Sequence, residues 1–218
     1  MFYHKGITLY VPDKVYYPRE DSLLLAGVLE KTKLKGSILD IGCGSGLLAI
    51  IMAKAAEVTA VDVCSLAVKT TLQNAEINKI KLKAIHSDLF SKVKGKFDLI
   101  VCNPPYLPAQ TETKPNIRTE CVNVCDEQPL DAKDANAYND ITYSGGEKGR
   151  TVITKFIRNV KKYLKKNGKI LLLISSLTGE KEVLALFKEN QFKTKIIARQ
   201  KIPWEELMVI EAGLKPKK

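Results

Sequence analysis

The chain has 218 residues, 45% of them hydrophobic, with 27% charged side chains and a net charge of +11. That is enough apolar material for one full core, so a disordered or fibrous chain is excluded, and no apolar run approaches the roughly 18 residues of a membrane span. The start Met1-Phe2-Tyr3-His4-Lys5-Gly6 lacks the basic-then-apolar layout of a signal peptide, so a cytoplasmic location is expected. The basic balance favours an anionic partner such as RNA, DNA or a ribosome-associated protein, but it bears on association, not on fold.

In chain order, residues up to Tyr17 read as a short strand or arm. Pro18, Arg19 and the acidic pair Glu20-Asp21 then open a helix carrying Leu23, Leu24, Leu25, Val28 and Leu29. On composition alone, Tyr16-Tyr17-Pro18-Arg19-Glu20-Asp21-Ser22 is the capped start of an amphipathic helix. Ser37 to Ile41 reads as a strand, Gly42-Cys43-Gly44-Ser45-Gly46 as a tight turn, and Leu47 to Ala56 as an apolar helix. Strand, glycine turn and helix form a nucleotide-binding first unit. The spacing is Gly-x-Gly-x-Gly, however, and Leu47 stands where a dinucleotide fingerprint would have its third glycine, so a smaller ligand than a pyrophosphate is expected. Asp62 ends a second strand, Val58 to Asp62, twenty residues after Gly42, where a carboxylate can accept both hydroxyls of a ribose. Asp40, at the end of the first strand, is placed to face an ammonium group.

Ser65 to Ile77 reads as a helix with Val68, Leu72 and Ala75 on one face, and Lys81 to Ser87 as a strand running into Asp88-Leu89-Phe90. A carboxylate with an apolar neighbour there can take the exocyclic amine of an adenine sandwiched by Leu89. His86 has no second histidine at ligand spacing and reads as structural. The run Phe97 to Cys102 is a buried strand that delivers Asn103-Pro104-Pro105-Tyr106 to its carboxyl end. The two prolines remove donors and stiffen the loop. Asn103 Oδ1 and the Pro104 carbonyl can therefore both accept from one planar NH2 group, with the Tyr106 ring flat against it. That is a clamp for an amide or an exocyclic amine.

From Leu107 to Glu147 the periodicity fades, and eight Asp or Glu stand against three Lys or Arg. A connection of that length is usually either a functional lid or disordered, and 107–147 is expected to be a long substrate-side loop. Cys121 and Cys125, four apart, are too few for a metal site alone, no metal is expected, and five cysteines in all imply no disulfide framework. A helix is predicted from Gly149 to Lys166, with Val152, Ile153, Phe156, Ile157, Val160 and Leu164 on one stripe. Lys161, Lys162, Lys165 and Lys166 would complement its dipole, and Gly168 would supply the left-handed cap. Lys169 to Ser175 reads as a strand, a helix follows through Val183, Leu184 and Phe187, and the strands Phe192 to Gln200 and Glu206 to Ala212 close the chain. The expected fold is α/β: one domain, 1–218, with an N-terminal arm and helix at 1–36. Its seven-stranded, mostly parallel sheet ends in an antiparallel hairpin and carries helices on both faces.

Together these motifs resemble the HemK-like, Rossmann-like methyltransferases, and specifically the short archaeal and eukaryotic release-factor glutamine N5-methyltransferases. The likeness rests on Tyr16 to Ser22, Asp40 to Gly46 and Asn103 to Tyr106, and it covers nearly the whole chain. The resemblance implies S-adenosyl-L-methionine as cofactor, with contacts at Tyr16, Asp21, Ser22, Asp40, Gly42, Gly44, Gly46, Asp62, Val63, Asp88, Leu89 and Asn103. It implies catalysis and substrate holding by Asn103, Pro104, Pro105 and Tyr106, a class-1 peptide chain release factor as substrate, and methylation of its Gly-Gly-Gln glutamine. The alternatives are an exocyclic amine such as adenine N6 in nucleic acid, and a protein lysine. The short relatives pair with a small zinc-binding activator subunit, which implies a heterodimer here along the edge strand 81–87. Two features depart from the family: Tyr143 and Ser144 precede Gly145-Gly146 where relatives often carry Trp, and the Leu107 to Asp140 segment is expanded.

Overall fold

Short β-branched runs alternating with amphipathic helices leave one economical way to cover both faces of each strand, a parallel sheet between helical layers. The computed structural model describes residues 1–108 and 145–215 and contains that sheet. Its elements begin with a small antiparallel hairpin, β1 (Phe2–His4) and β2 (Ile7–Leu9), then α1 (Glu20–Glu30), β3 (Ser37–Ile41), α2 (Leu47–Ala53), β4 (Glu57–Asp62), α3 (Ser65–Ile77), β5 (Lys83–His86) and β6 (Phe97–Cys102). After the segment outside the described residues come α4 (Thr151–Val160), β7 (Leu164–Ser175), α5 (Glu180–Glu189), β8 (Phe192–Ile202) and β9 (Glu205–Leu214).

The seven strands β3 to β9 run in the order β5-β4-β3-β6-β7-β9-β8, with β9 antiparallel to both neighbours. The hairpin predicted at the end of the chain thus closes the sheet. The strand order reverses between β3 and β6, and ligands of open α/β sheets bind at the carboxyl ends of strands flanking such a switch. Alternation along β3 sends Ile38 to one core and Leu39 and Ile41 to the other. Leu25, Leu29 and Ile50 from α1 and α2 cover the first face, and Phe156, Ile157 and Phe187 from α4 and α5 cover the second. Phe156 is fully buried, and truncating it to alanine would cost about 3–5 kcal/mol.

Two helices are shorter than their sequence patterns suggest. The first, α2, stops at Ala53 instead of Ala56, and α4 stops at Val160, followed by a 3-10 turn at Lys161–Tyr163. By Leu164 the chain is already strand, pairing with Phe97, while Tyr163 stacks on Phe90 at 4.6 Å. Burial of Leu164 and sheet pairing outweigh helix propensity there. Lys165 and Lys166 consequently lie on β7, and Gly168 is not a left-handed cap. A Cβ on Gly168 would stand 2.8 Å from the Phe97 carbonyl oxygen, which accounts for the glycine by close approach.

The face of α3 also differs from the expected one. Leu72 is exposed, and the helix buries Ala67, Val68, Thr70, Thr71, Asn74 and Ala75. The polar members have partners: Asn74 exchanges hydrogen bonds with the Tyr10 backbone, both at 2.8 Å, and its Nδ2 also donates to the Ser45 carbonyl at 2.9 Å. Asn78 ties Thr8 to the same helix. The arm is thereby latched over the glycine turn. Cys121 and Cys125, and most of the 107–147 stretch, lie outside the described residues. Among the described residues no helix is long and apolar enough to cross a membrane, and no cluster of His, Cys, Asp and Glu could hold a metal.

Candidate active site

Asn103 follows β6 directly, and its amide is oriented by what surrounds it. Asp21, at the start of α1 and 3% exposed, offers only acceptors, so the Asn103 NH2 group turns towards it, donating to Asp21 Oδ2 at 3.1 Å and reaching Ser22 Oγ at 3.5 Å. The same Asp21 oxygen accepts from Tyr16 Oη at 2.8 Å and, at the outer limit of 3.5 Å, from Tyr106 Oη. Asp21 Oδ1 is held by the Ser22 backbone N–H at 2.5 Å and by Ser22 Oγ at 3.2 Å. All this leaves Asn103 Oδ1 buried with no partner. Leaving such an acceptor unsatisfied costs about 1–3 kcal/mol, a cost that a donor arriving at that atom recovers.

Burial, and next the Asp21 charge, push the phenols of both Tyr16 and Tyr106 well above their ordinary range. Both stay protonated and act as donors, so neither serves as a base. Pro104 is buried, and Pro105 and Tyr106 are half-buried. Below them Gly149 comes so close that a Cβ would lie 2.2 Å from the Tyr106 carbonyl oxygen, and the Gly145 N–H donates to the Leu107 carbonyl at 2.7 Å. The return of the chain from the 107–147 stretch therefore supports the clamp from beneath.

Across the switch point lies the glycine turn. Gly42, Gly44 and Gly46 all have positive φ, 78°, 52° and 87°, a region open to glycine at no steric cost. A Cβ on Gly42 would be 3.6 Å from the Asn103 carbonyl oxygen, so turn and clamp are neighbours. A Cβ on Gly46 would lie 3.1 Å from Thr71, whose Oγ1 donates to the Gly44 carbonyl at 3.1 Å, and Gly44 lies under Tyr16. Asp62 accepts the Gly44 N–H on one oxygen and the Cys64 N–H on the other, both at 2.9 Å, and each oxygen keeps a further lone pair for a hydroxyl. Burial raises its pKa against those donors. Asp40 is 1% exposed with neither carboxylate oxygen in hydrogen-bond geometry with a donor, and burial followed by the Asp62 charge pushes its pKa up to about 7, against the opposing pull of the nearby Ala49 N–H. Two orphan acceptors on a buried carboxylate fit a cation such as an ammonium group.

Val63 is half-buried beyond β4, and its carbonyl accepts from His86 Nε2 at 2.7 Å, a structural use of that histidine. Asp88 is exposed, and half-buried Leu89 is held at φ 45°, an unusual conformation for a bulky residue. Ser87, which sequence reasoning passed over, fixes that turn: its Oγ donates to the Leu89 carbonyl at 3.2 Å and accepts the Lys92 N–H at 3.0 Å. Thr71 and Asn74 were missed as well. Their only signal was a row of small and polar residues at helical spacing, Ala67, Thr71 and Asn74. The fold thus gathers Tyr16, Asp21, Ser22, Asn103, Pro104 and Tyr106 into one group, and the glycine turn with Asp40 and Asp62 into an adjoining one, with Asp88-Leu89 at the end of the neighbouring strand.

The methyltransferase small domain family matches residues 20–131. A Methanocaldococcus jannaschii protein named for protein N5-glutamine methyltransferase activity is 40% identical over 210 residues, 95% of this chain and 96% of that one. The release factor glutamine methyltransferase of Lactococcus lactis is 33% identical over 89% of this chain and 67% of its own length. Among solved structures, the E. cuniculi Mtq2-Trm112 complex, described as responsible for methylation of the eRF1 translation termination factor, has a chain that superposes with a TM-score of 0.64. That chain is 23% identical, over 93% of this chain and 99% of its own, and the likeness establishes a shared Rossmann-like fold.

Proposed function

The chain belongs to the methyltransferase small-domain family, among its protein N5-glutamine methyltransferases, and on that premise we propose that it methylates the glutamine of the Gly-Gly-Gln loop in a class-1 peptide chain release factor, with S-adenosylmethionine as donor. The observation that carries the substrate chemistry is Asn103: its NH2 group is committed to Asp21, and its Oδ1 is a buried acceptor without a partner.

The residues fit the cofactor. Asp40 would face its ammonium group, Asp62 its ribose hydroxyls, Asp88 and Leu89 its adenine, and the turn at Gly42, Gly44 and Gly46, with Val63, Tyr16 and Ser22, would enclose it. S-adenosylmethionine, when bound, supplies a methyl carbon attached to a cationic sulfur. An amide nitrogen is a poor nucleophile because its lone pair is delocalised, so positioning must supply much of the rate. Asn103 Oδ1 and the Pro104 carbonyl accept the two N–H bonds of the glutamine amide and stabilise the positive charge that grows on nitrogen as the N–C bond forms and the S–C bond breaks. Tyr106 packs on the amide plane. Asp21 is the positioning residue, because it keeps the Asn103 amide from flipping and presenting donors where acceptors are needed. The methylated nitrogen is strongly acidic and releases its extra proton afterwards, so no side-chain base is required.

In this reading residues 1–218 act as one catalytic domain, and a small zinc-binding subunit pairs along β5, an edge strand of the sheet. The test is transfer of labelled methyl to a purified release factor, to its Gln→Ala variant and to single- and double-stranded DNA, with and without the second subunit. Label on the intact release factor alone is expected. Label on DNA, or on the Gln→Ala variant, would transfer the same clamp to an exocyclic amine or to lysine.

A further inference from the structure

The chain has a single tryptophan, Trp204, and it is 97% exposed. It sits in the two-residue turn between β8 and β9, after Pro203, with φ at 74°. Proline at the first central position and positive φ at the second describe a type II turn, whose second central position favours glycine or asparagine. A bulky indole there is unfavourable for the turn and, among the described residues, is buried against nothing. Its retention therefore needs a reason outside the fold.

The topology says where the turn points. β7 is parallel to β6, with Cys102 level with Leu172, and continues to Ser175, which is level with Leu207 on β9. The turn lies beyond that level, so it projects from the carboxyl edge of the sheet, the edge that carries Asn103. It stands two strands from β6, roughly 10 Å sideways at about 4.8 Å per strand. Its neighbour Glu205 is bonded by Ser175 Oγ and lies close enough to Tyr106 to help raise that phenol's pKa. On the same edge Leu177, next to the Ser176 hydroxyl that accepts the Glu206 N–H, is 45% exposed, and Leu107, directly after the clamp, is 37% exposed. Exposed apolar side chains thus flank a polar clamp, and the charges around them are mixed: Glu205 and Glu206 stand beside Lys201, Arg199 pairs with Glu206 and Glu180, and Arg150 donates to the Thr178 carbonyl. A mixed rim of apolar and paired charged side chains suits a folded polypeptide, whereas a phosphate backbone is held chiefly by unpaired basic side chains. By register the turn also lies about five residues, roughly 16 Å, beyond the level of Asn103, so the two are roughly 20 Å apart, within the span of a protein partner's footprint of about 800 Å², roughly 32 Å across.

We propose that Trp204 is a docking residue for the protein substrate: its indole is buried against an apolar patch of the folded release factor, away from the reacting glutamine, when the amide enters the Asn103 clamp. The proposal rests on the glutamine reading above. It explains why a residue ill-suited to the turn stands there, and tryptophan is the side chain most enriched among dominant interface contacts.

The test compares the full chain, with the partner subunit proposed above, with its Trp204→Gly and Trp204→Phe variants on a purified class-1 release factor. Trp204→Gly is expected to raise KM for the release factor at least about 10-fold, with kcat within about twofold, because it removes an interface anchor remote from the chemistry. Cofactor affinity should not change, the melting temperature should hold or rise because glycine suits the turn, and Trp204→Phe should recover part of the KM. An unchanged KM in Trp204→Gly would overturn the proposal, as would a raised KM accompanied by a lowered melting temperature, which would mark the residue as structural. If the wild type transfers no methyl to the release factor, the glutamine reading fails first and the docking role falls with it.

Discussion

The two halves of the site differ in how their buried polar groups are balanced. Around Asn103 the balance is internal: Tyr16, Ser22, Tyr106 and the Asn103 NH2 group all donate to Asp21, and a single neutral acceptor is left over. Around the glycine turn the balance is incomplete, since Asp40 is buried with both oxygens unpaired and Asp62 lies close enough to raise its pKa. In the proposed reading the first half is built in advance to grip a neutral amide, whose binding needs geometry. The second half is left short of one positive charge, which a ligand must bring. On that reading the same sheet edge would recognise a neutral group by preorganisation and a cationic one by electrostatic deficit.

Removing the acceptor is the most direct attack on the first half. Asn103→Ala should lower kcat by about 100-fold or more, the scale seen when a positioned transition-state partner is deleted, while cofactor affinity measured by calorimetry changes little. Joint loss of both would assign Asn103 mainly to the cofactor pocket and erase the distinction between the halves. Asp40→Asn is the reciprocal experiment. Cofactor affinity should fall about 10- to 100-fold, as for loss of a charge-assisted hydrogen bond, with kcat at saturating cofactor largely kept.

A milder change sharpens the role of Asp21. Asp21→Asn can donate as well as accept, so the Asn103 amide is no longer held in one orientation, and kcat should drop about 10-fold with little change in cofactor affinity. Acidity tests the second half without mutation. Burial holds a proton on Asp40 below about pH 7, and the neutral carboxyl cannot pair with an ammonium group. Cofactor affinity should therefore weaken as pH falls through about 7, by at most tenfold per unit, and Asp40→Asn should flatten that dependence. In the ligand-free chain the sign is opposite: as pH rises from the ordinary carboxyl value of 3.8 to about 7, the unfolded chain gives up its proton before the native one does, and this group's contribution to stability is lost. The smallest expected effect belongs to Tyr106→Phe, which removes a hydroxyl contact of 3.5 Å but keeps the ring, and should change kcat by only about two- or threefold. A large loss would give the phenol a role beyond packing.

The sequence by itself determined the local grammar. Strand Ser37–Ile41 and helix Ser65–Ile77 fall where the pattern put them, because a β-branched run bounded by glycine and a long periodic segment have few other readings. The glycine turn and the stiff Asn-Pro-Pro-Tyr loop after β6 were legible for a similar reason: positive φ and donor removal are properties of the residues themselves. What only the tertiary structure decided was who meets whom. It ended α4 at Val160 because Leu164 had to pair with Phe97, and it turned Leu72 outward so that Thr71 and Asn74 could hold the glycine turn. It also brought Asp21 against Asn103, 82 positions along the chain, which converts a helix-start carboxylate into the group that sets the amide's orientation. Those outcomes rest on burial and hydrogen-bond satisfaction summed over distant segments, a balance that local propensity does not contain.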